Sequence, residues 1–244
     1  MKFYKMAPED INLVLDVEQL EKQFTLHTQN GAVLDVLDKV NLTVSAGEII
    51  ALCGPSGAGK SSLLKSVYGT YRVSGGKINI LSEHGMIDIA KAEPREIIEL
   101  RTRTIGYVSQ FLRVIPRVST LDIVANAAIE TGTPEDEAKS LAVSLLEKLR
   151  IPAALHDLSP LTFSGGEQQR VNIARAMSAP RPLMLFDEPT ASLDPVNRET
   201  VLSMIRELAA SGTAVLGIFH DPKDREKLRT RDFDLKEARE PEDA

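Results

Sequence analysis

The chain is poor in cysteine, in tryptophan and in long apolar runs. Its 244 residues include one cysteine, Cys53, which excludes a disulfide within the chain and favours a cytoplasmic location. The longest apolar runs, at 49–53 and 183–186, have the length of a strand, whereas a membrane-spanning helix needs about 20 apolar residues. We therefore expect no direct insertion into a membrane, so any membrane role would depend on a partner protein.

Blocks of basic residues are also missing. The net charge is −6 and the lysines and arginines are dispersed, which excludes the basic face of a nucleic-acid-binding protein. The apolar fraction of 43% and the charged fraction of 26% are ordinary for a globular protein, so the chain has enough apolar residues for a core.

Apolar periodicity predicts a strand-rich chain interrupted by a helical segment. The predicted strands are 13–20, 36–44, 49–53, 76–81, 86–90, 104–110, 183–186 and 213–219. The predicted helices are about 60–68, 94–103, 164–175 and 195–210, and the range 121–149 has a helical period with a helix start signal at Thr133–Pro134. Turns are expected at Asn30–Gly31 and between the fourth and fifth strands, and the charged stretch after Pro222 is expected to be mostly helical or frayed.

The run GPSGAGKS, at 54–61, fits the pattern G-x-x-x-x-G-K-[ST] between a buried strand and a helix. Glycines let the backbone curl around phosphate oxygens, and the helix start adds positive potential. We expect Lys60 to reach the β- and γ-phosphates of a nucleotide and the Ser61 hydroxyl to bind Mg²⁺. The predicted loop residues are Gly54, Pro55, Ser56, Gly57, Ala58, Gly59, Lys60, Ser61 and Ser62.

Asp187 and Glu188 follow the apolar run LMLF, so a buried strand delivers two carboxylates at its carboxyl end. Asp187 suits the outer shell of Mg²⁺, and Glu188 suits polarising the attacking water, as a general base or as a group that orients the water. Gln110 and His220 end two other predicted strands. Alone, each would usually be a plain surface residue, but here Gln110 would contact Mg²⁺ and the water, and His220 would hydrogen-bond the γ-phosphate and orient Glu188.

A second glycine motif, Ser164-Gly165-Gly166-Glu167, also reads as a helix capping box. A capped helix start with bare N–H groups can bind an anion. One chain cannot plausibly use both glycine motifs on one nucleotide. The pattern therefore predicts a head-to-tail dimer in which these four residues contact the ATP held by the partner subunit.

Two further residues are predicted from their positions. Asp194 follows the Asp187–Glu188 strand and would contact the partner across the dimer. Phe24 lies near the end of the first strand, where its ring would stack on adenine, with a core aromatic as the alternative.

These motifs occur in the order found in ATP-binding-cassette (ABC) ATPases, which the chain resembles from about residue 13 to 221. The resemblance implies an α/β P-loop NTPase of ABC type, with a RecA-like core, an antiparallel β subdomain and an inserted helical subdomain. It implies one ATP-binding domain over 1–244, divided into a core at about 11–110 and 176–222, a helical subdomain at 111–175 and a charged tail at 223–244. Glu167 departs from the family, which most often has glutamine there, and we expect its charge to weaken the ATP-driven dimer modestly.

Four segments, at 24–31, 109–117, 162–175 and 217–221, look like the ATP-binding L subunits of bacterial phosphonate carbon–phosphorus lyase systems. This resemblance implies an ATPase that couples ATP binding and hydrolysis to a conformational change of the lyase core complex. It leaves open whether the dimer is homo- or heteromeric.

Three alternatives stand beside this interpretation. The chain could be the ATPase of a membrane transporter, of lipoprotein-export, macrolide or phosphonate-import type. It could be a subunit of ribose 1-methylphosphonate 5-triphosphate synthase, although the sequence supplies no site for that transferase chemistry. A non-hydrolysing scaffold is disfavoured because Glu188 and His220 are both present.

Overall fold

The computed structural model describes residues 12–26, 31–110, 112 and 116–236. It contains two sheets and seven α-helices in these residues. The helices are α1 (Lys60–Val67), α2 (Pro94–Arg103), α3 (Thr120–Ile129), α4 (Glu135–Lys148), α5 (Gly165–Ser178), α6 (Pro195–Ala210) and α7 (Pro222–Leu228). Two short 3₁₀ helices, Ala153–Leu155 and Pro160–Thr162, lead into α5. No described helix is long and apolar enough to cross a membrane.

The first sheet is antiparallel, with the strand order β2-β1-β4-β5. Its strands are β1 (Leu13–Leu26), β2 (Ala32–Ser45), β4 (Gly75–Ser82) and β5 (Gly85–Asp88). β1 and β2 are longer than the sequence predicts because their pairing continues through register shifts toward the hairpin end. The predicted hairpin between β4 and β5 is confirmed. Of the predicted first turn, Asn30 lies outside the described residues.

The second sheet is parallel, with the strand order β6-β7-β8-β3-β9. Its strands are β3 (Ile49–Cys53), β6 (Ile105–Val108), β7 (Leu183–Asp187), β8 (Ala214–Ile218) and β9 (Arg231–Asp234). β7 and β8 are buried along their whole length, as expected for strands covered on both faces. The carboxyl ends of β3, β6, β7 and β8 therefore lie side by side at one edge.

Two apolar cores hold these layers together. One joins the antiparallel sheet to α1 and the facing side of the parallel sheet, and includes Leu15, Ile50 and Leu63. The other joins the opposite side of the parallel sheet to α3, α4, α5 and α6, and includes Val124 and Phe186. The predicted α/β fold with helices inserted between strand-rich parts is confirmed, whereas the exact subdomain boundaries stay a prediction.

The expectation for the end of the chain is partly wrong. After α7, which agrees with a helical interpretation, Arg231–Asp234 forms β9 and pairs in parallel with β3. Leu228 and Leu235 on either side of it are buried in the core. β9 is an edge strand, and edge strands commonly carry charged side chains, so this charged segment completes the sheet in spite of its composition.

Candidate functional site

The glycine loop at 54–61 connects β3 to α1 at the carboxyl edge of the parallel sheet. Gly54, Gly57 and Gly59 have φ values of 119°, 82° and 96°, which favour glycine over residues with a Cβ. A Cβ at Gly59 would also lie 2.8 Å from the Val36 carbonyl oxygen. The predicted loop geometry is therefore present, with Pro55, Ser56 and Gly57 exposed and Ser62 partly buried on α1.

Lys60 is buried, and its ammonium group lies inside the loop. Lys60 Nζ donates hydrogen bonds to the carbonyl oxygens of Gly54 at 2.7 Å and Pro55 at 2.8 Å. These hydrogen bonds offset part of the free-energy cost of burying the ammonium charge. They also hold it within the loop that the sequence predicts to bind phosphate.

Asp187, the last residue of β7, is 6% exposed and accepts two hydrogen bonds from hydroxyl groups. Ser61 Oγ donates to its Oδ1 at 3.2 Å, and Tyr107 Oη donates to its Oδ2 at 2.8 Å. The predicted pair of Ser61 and Asp187 is thus brought together. Tyr107 was not predicted, and the signal that could have found it is its place on the strand that ends at Gln110.

Glu188 has a φ of 55°, an unusual backbone conformation for a residue with a side chain. Its carboxylate contacts both of the strand-end residues predicted to assist it. Gln110 Nε2 donates to Glu188 Oε2 at 3.2 Å, and His220 Nε2 lies 2.7 Å from Glu188 Oε1. Side chains from three neighbouring strand ends therefore converge, with Glu188 between the other two.

The helix start at Ser164 has the predicted capping box. Ser164 Oγ accepts from the Glu167 backbone N–H at 3.4 Å, while Glu167 Oε2 accepts from the Ser164 backbone N–H at 2.9 Å and its hydroxyl at 2.7 Å. These hydrogen bonds lower the pKa of Glu167. Ser164 and Gly165 are exposed, and a Cβ at Gly165 would have no atom within 4 Å. This end of α5 faces solvent.

Further along α5, two side chains reach the strand ends. Asn172 Nδ2 donates to the Ser109 carbonyl oxygen at 2.8 Å, next to Gln110, and Gln169 Nε2 donates to the Pro189 carbonyl oxygen at 3.5 Å, next to Glu188. Both amides are buried. The helix that begins at the second glycine motif is therefore tied to the backbone on which Gln110 and Glu188 are mounted. Neither contact is predicted from the sequence.

Two predicted residues have other contacts. The Phe24 ring packs edge-on against Tyr71, with centroids 5.2 Å apart, and Lys22 Nζ lies 4.5 Å from its centroid. Asp194 caps α6 by accepting from the backbone N–H groups of Val196 and Asn197, and these bonds, led by that from Asn197, lower its pKa. Adenine stacking by Phe24 and a dimer contact by Asp194 stay predictions.

Comparisons with known proteins identify the chain's relatives. The family model for ABC transporters matches residues 37–191. The lipoprotein-releasing system ATP-binding protein LolD of Hyphomonas neptunium is 38% identical over 201 residues, covering 81% of this chain and 84% of that protein. The arginine transport ATP-binding protein ArtP of Haemophilus influenzae is 36% identical over 193 residues, covering 79% of each chain.

A similar solved structure is the ATP-binding cassette MJ0796, a dimer in a post-hydrolysis state bound to ADP and Pi. It superposes with a TM-score of 0.82 at 26% identity, covering 93% of this chain and 97% of that one. The predicted fold class is confirmed. LolD and ArtP are named for the release or transport of a cargo, which supports the transporter alternative better than the phosphonate interpretation.

Proposed function

The chain belongs to the ABC transporter family, and from this membership we propose that it is the ATPase subunit of a larger assembly, working as a head-to-tail dimer. It is an ATPase, as its family and the similar structure with ADP and Pi indicate. The observation that carries the proposal is the convergence of Gln110 and His220 on Glu188, beside the loop that holds Lys60.

We assign roles to these residues from their contacts. The loop N–H groups and Lys60 bind the β- and γ-phosphates. Glu188 is the base that polarises the attacking water, since its carboxylate lies at the strand edge next to the loop. His220, 2.7 Å from that carboxylate, orients it against the γ-phosphate, and Gln110 contacts its other oxygen.

The donor set fits Mg²⁺. Magnesium prefers oxygen ligands and is usually held by one or two protein groups together with nucleotide phosphates. Ser61 Oγ and the Asp187 carboxylate lie within 3.2 Å of each other at the start of α1. We therefore propose Ser61 and Asp187, with the Gln110 amide, as the groups that hold Mg²⁺, whose charge would neutralise the phosphates.

Glu188→Gln tests the central assignment. The amide keeps the size of the side chain but cannot act as a base, so turnover should fall about 10²-fold or more while ATP binding is retained. Phosphate release and binding of a fluorescent ATP analogue measure the two effects. Lys60→Ala is the matched comparison, and it should weaken binding itself. Normal turnover in Glu188→Gln would remove Glu188 from this role.

The partner that the ATPase drives is a separate proposal, and we propose a membrane permease first. Relatives named for lipoprotein release, arginine transport and macrolide export match at 38%, 36% and 36% identity. Such similar values for unlike cargoes point to shared ATPase machinery, so they favour a transporter motor as a class without selecting a cargo.

The phosphonate carbon–phosphorus lyase complex is the second candidate. The segment 109–117 favours it, since it resembles the corresponding segment of those L subunits and leads from Gln110 into the helices α3 and α4. In that position the segment would transmit conformational changes at the ATP site to a soluble partner. Only part of this segment lies within the described residues.

Growth on a single phosphorus source separates the candidates. If the lyase candidate is right, a deletion strain should grow on inorganic phosphate but not on methylphosphonate, and wild type but not Glu188→Gln should restore growth. Uptake of labelled methylphosphonate should stay normal in the deletion strain. Lost uptake would instead indicate a phosphonate permease as the partner, and normal growth on methylphosphonate would contradict the lyase candidate.

A further inference from the structure

The hydrogen bond from the Tyr107 hydroxyl to Asp187 has no part in the roles assigned above. Tyr107 lies on β6, in register with Leu185 of β7, in a parallel pair. Side chains alternate along a strand, so Leu185 and Asp187 point to the same face of the sheet. Tyr107 can therefore reach forward along this face, and its Oη lies 2.8 Å from Asp187 Oδ2.

The Tyr107 ring is held in place by an aromatic stack. It lies on Tyr68, with centroids 5.0 Å apart and an interplanar angle of 29°. The Arg101 guanidinium lies 4.6 Å from the Tyr68 centroid, and Arg101 Nε donates to the Tyr68 carbonyl oxygen at 3.0 Å. Tyr68, directly after α1, and Arg101 of α2 thus both contribute to fixing the Tyr107 ring that presents the hydroxyl to Asp187.

We propose that Tyr107 is a positioning residue that fixes the rotation of the Asp187 carboxylate. With Oδ2 held by Tyr107, Oδ1 is turned toward Ser61 at the start of α1. This inference rests on the proposed role of Asp187 and Ser61 in holding Mg²⁺. Groups that hydrogen-bond a metal-binding carboxylate typically contribute about 10- to 100-fold to metal affinity, so the hydroxyl should have a measurable effect.

Tyr107→Phe tests the proposal, since it removes the hydroxyl and keeps the ring. We expect the Mg²⁺ concentration that half-maximally promotes binding of a fluorescent ATP analogue to rise about 10-fold. Binding of the same analogue in EDTA should stay unchanged, because the loop and Lys60 are intact. Tyr68→Phe is the matched control: it removes a neighbouring hydroxyl from the same stack, and its Mg²⁺ dependence should equal that of wild type.

Asp187→Asn separates failure of this inference from failure of the metal assignment. If Asp187→Asn shifts the Mg²⁺ dependence and Tyr107→Phe does not, the positioning role of Tyr107 is overturned. If neither variant shifts it, the assignment of Asp187 fails and the inference fails with it. Tyr107→Phe should also unfold within about 4 °C of wild type without nucleotide. A larger drop with unchanged Mg²⁺ dependence would make Tyr107 a packing residue and would likewise overturn the proposal.

Discussion

Glu167 has two opposing effects at the scale of a single residue. Its carboxylate accepts hydrogen bonds from both the backbone N–H and the hydroxyl of Ser164, which stabilises the start of α5. The same carboxylate places a negative charge beside the N–H groups that we propose to bind the partner's γ-phosphate, and it occupies the serine hydroxyl. Glutamine, the more usual residue in the family, would remove the charge.

We predict that Glu167→Gln strengthens the ATP-bound dimer. Two unit charges about 4 Å apart in water repel by about 1 kcal/mol, and the dimer has two such sites, so the dimer dissociation constant should change roughly 30-fold. Sedimentation of both proteins in the Glu188→Gln background, with ATP at several protein concentrations, measures that constant. Equal constants for the two proteins would contradict the prediction.

The pH dependence of this cap follows from the pKa of Glu167, which its hydrogen bonds with Ser164 lower. A carboxyl group with a lowered pKa stabilises the folded state above its unfolded pKa, and this contribution is lost as the pH falls through the folded pKa. Relative to Glu167→Gln, wild type should therefore lose stability only in the acidic range. The difference in Tm between the two proteins, measured from neutral to acidic pH, should shrink there and stay constant near neutrality.

At the scale of elements, the buried carboxylate of Asp224 connects α7, α6 and the segment after β7 near the catalytic edge of the sheet. Asp224 of α7 is 3% exposed and accepts from Thr190 Oγ1 and Arg198 Nε, each at 2.9 Å. Arg198 of α6 also pairs with Asp221 at 2.9 Å, directly after His220. The connection after β7, the start of α6 and the His220 loop are thus fixed relative to one another.

Asp224→Ala should lower both stability and turnover. Breaking a buried ion pair typically costs about 3–5 kcal/mol, but Arg198 keeps Asp221 and is partly exposed, so we expect the free energy of unfolding to fall by about 2 kcal/mol. Urea denaturation measures this change, and ATP hydrolysis reports any displacement of His220. Asp232→Ala is the control, since its ion pair with Arg225 is half-exposed and should contribute less than about 1 kcal/mol. Equal losses for the two variants would remove the special role of Asp224.

Local patterns predicted the parts of the fold that local interactions determine. The β3–loop–α1 unit and the capped start of α5 depend on glycines and capping residues within a few positions. β9 could not be predicted in this way, because it pairs with β3, about 180 residues earlier, and contains three charged residues in four. The Tyr107–Asp187 contact could not be predicted either, because it depends on which strands are neighbours in the sheet. Gln110, Glu188 and His220 could be placed together only because their motifs identified three strand ends of one sheet.

At the scale of the whole molecule, each chain has two glycine motifs that we assign to two different nucleotides. The loop of 54–61 lies beside its own Asp187, whereas Ser164 and Gly165 face solvent. The similar cassette structure is a dimer bound to ADP and Pi. In a head-to-tail dimer, a loop defect on one chain and an α5-start defect on the other chain therefore affect the same ATP site and leave the second site intact.

Mixing two inactive variants tests this arrangement. Lys60→Ala disables the loop, and Gly165→Asp places a charge at the α5 start, where a Cβ meets no atom within 4 Å, so the fold should tolerate it. Gly166 is a poorer choice, because a Cβ there would lie 2.9 Å from the Ser192 carbonyl oxygen.

In an equal mixture of the two variants half of the dimers contain one chain of each, and each of these dimers has one intact and one doubly defective site. Hydrolysis should therefore return to about a quarter of the wild-type rate if the sites act independently. If both motifs served the same nucleotide of one chain, every site in the mixture would contain a defect and no activity would return.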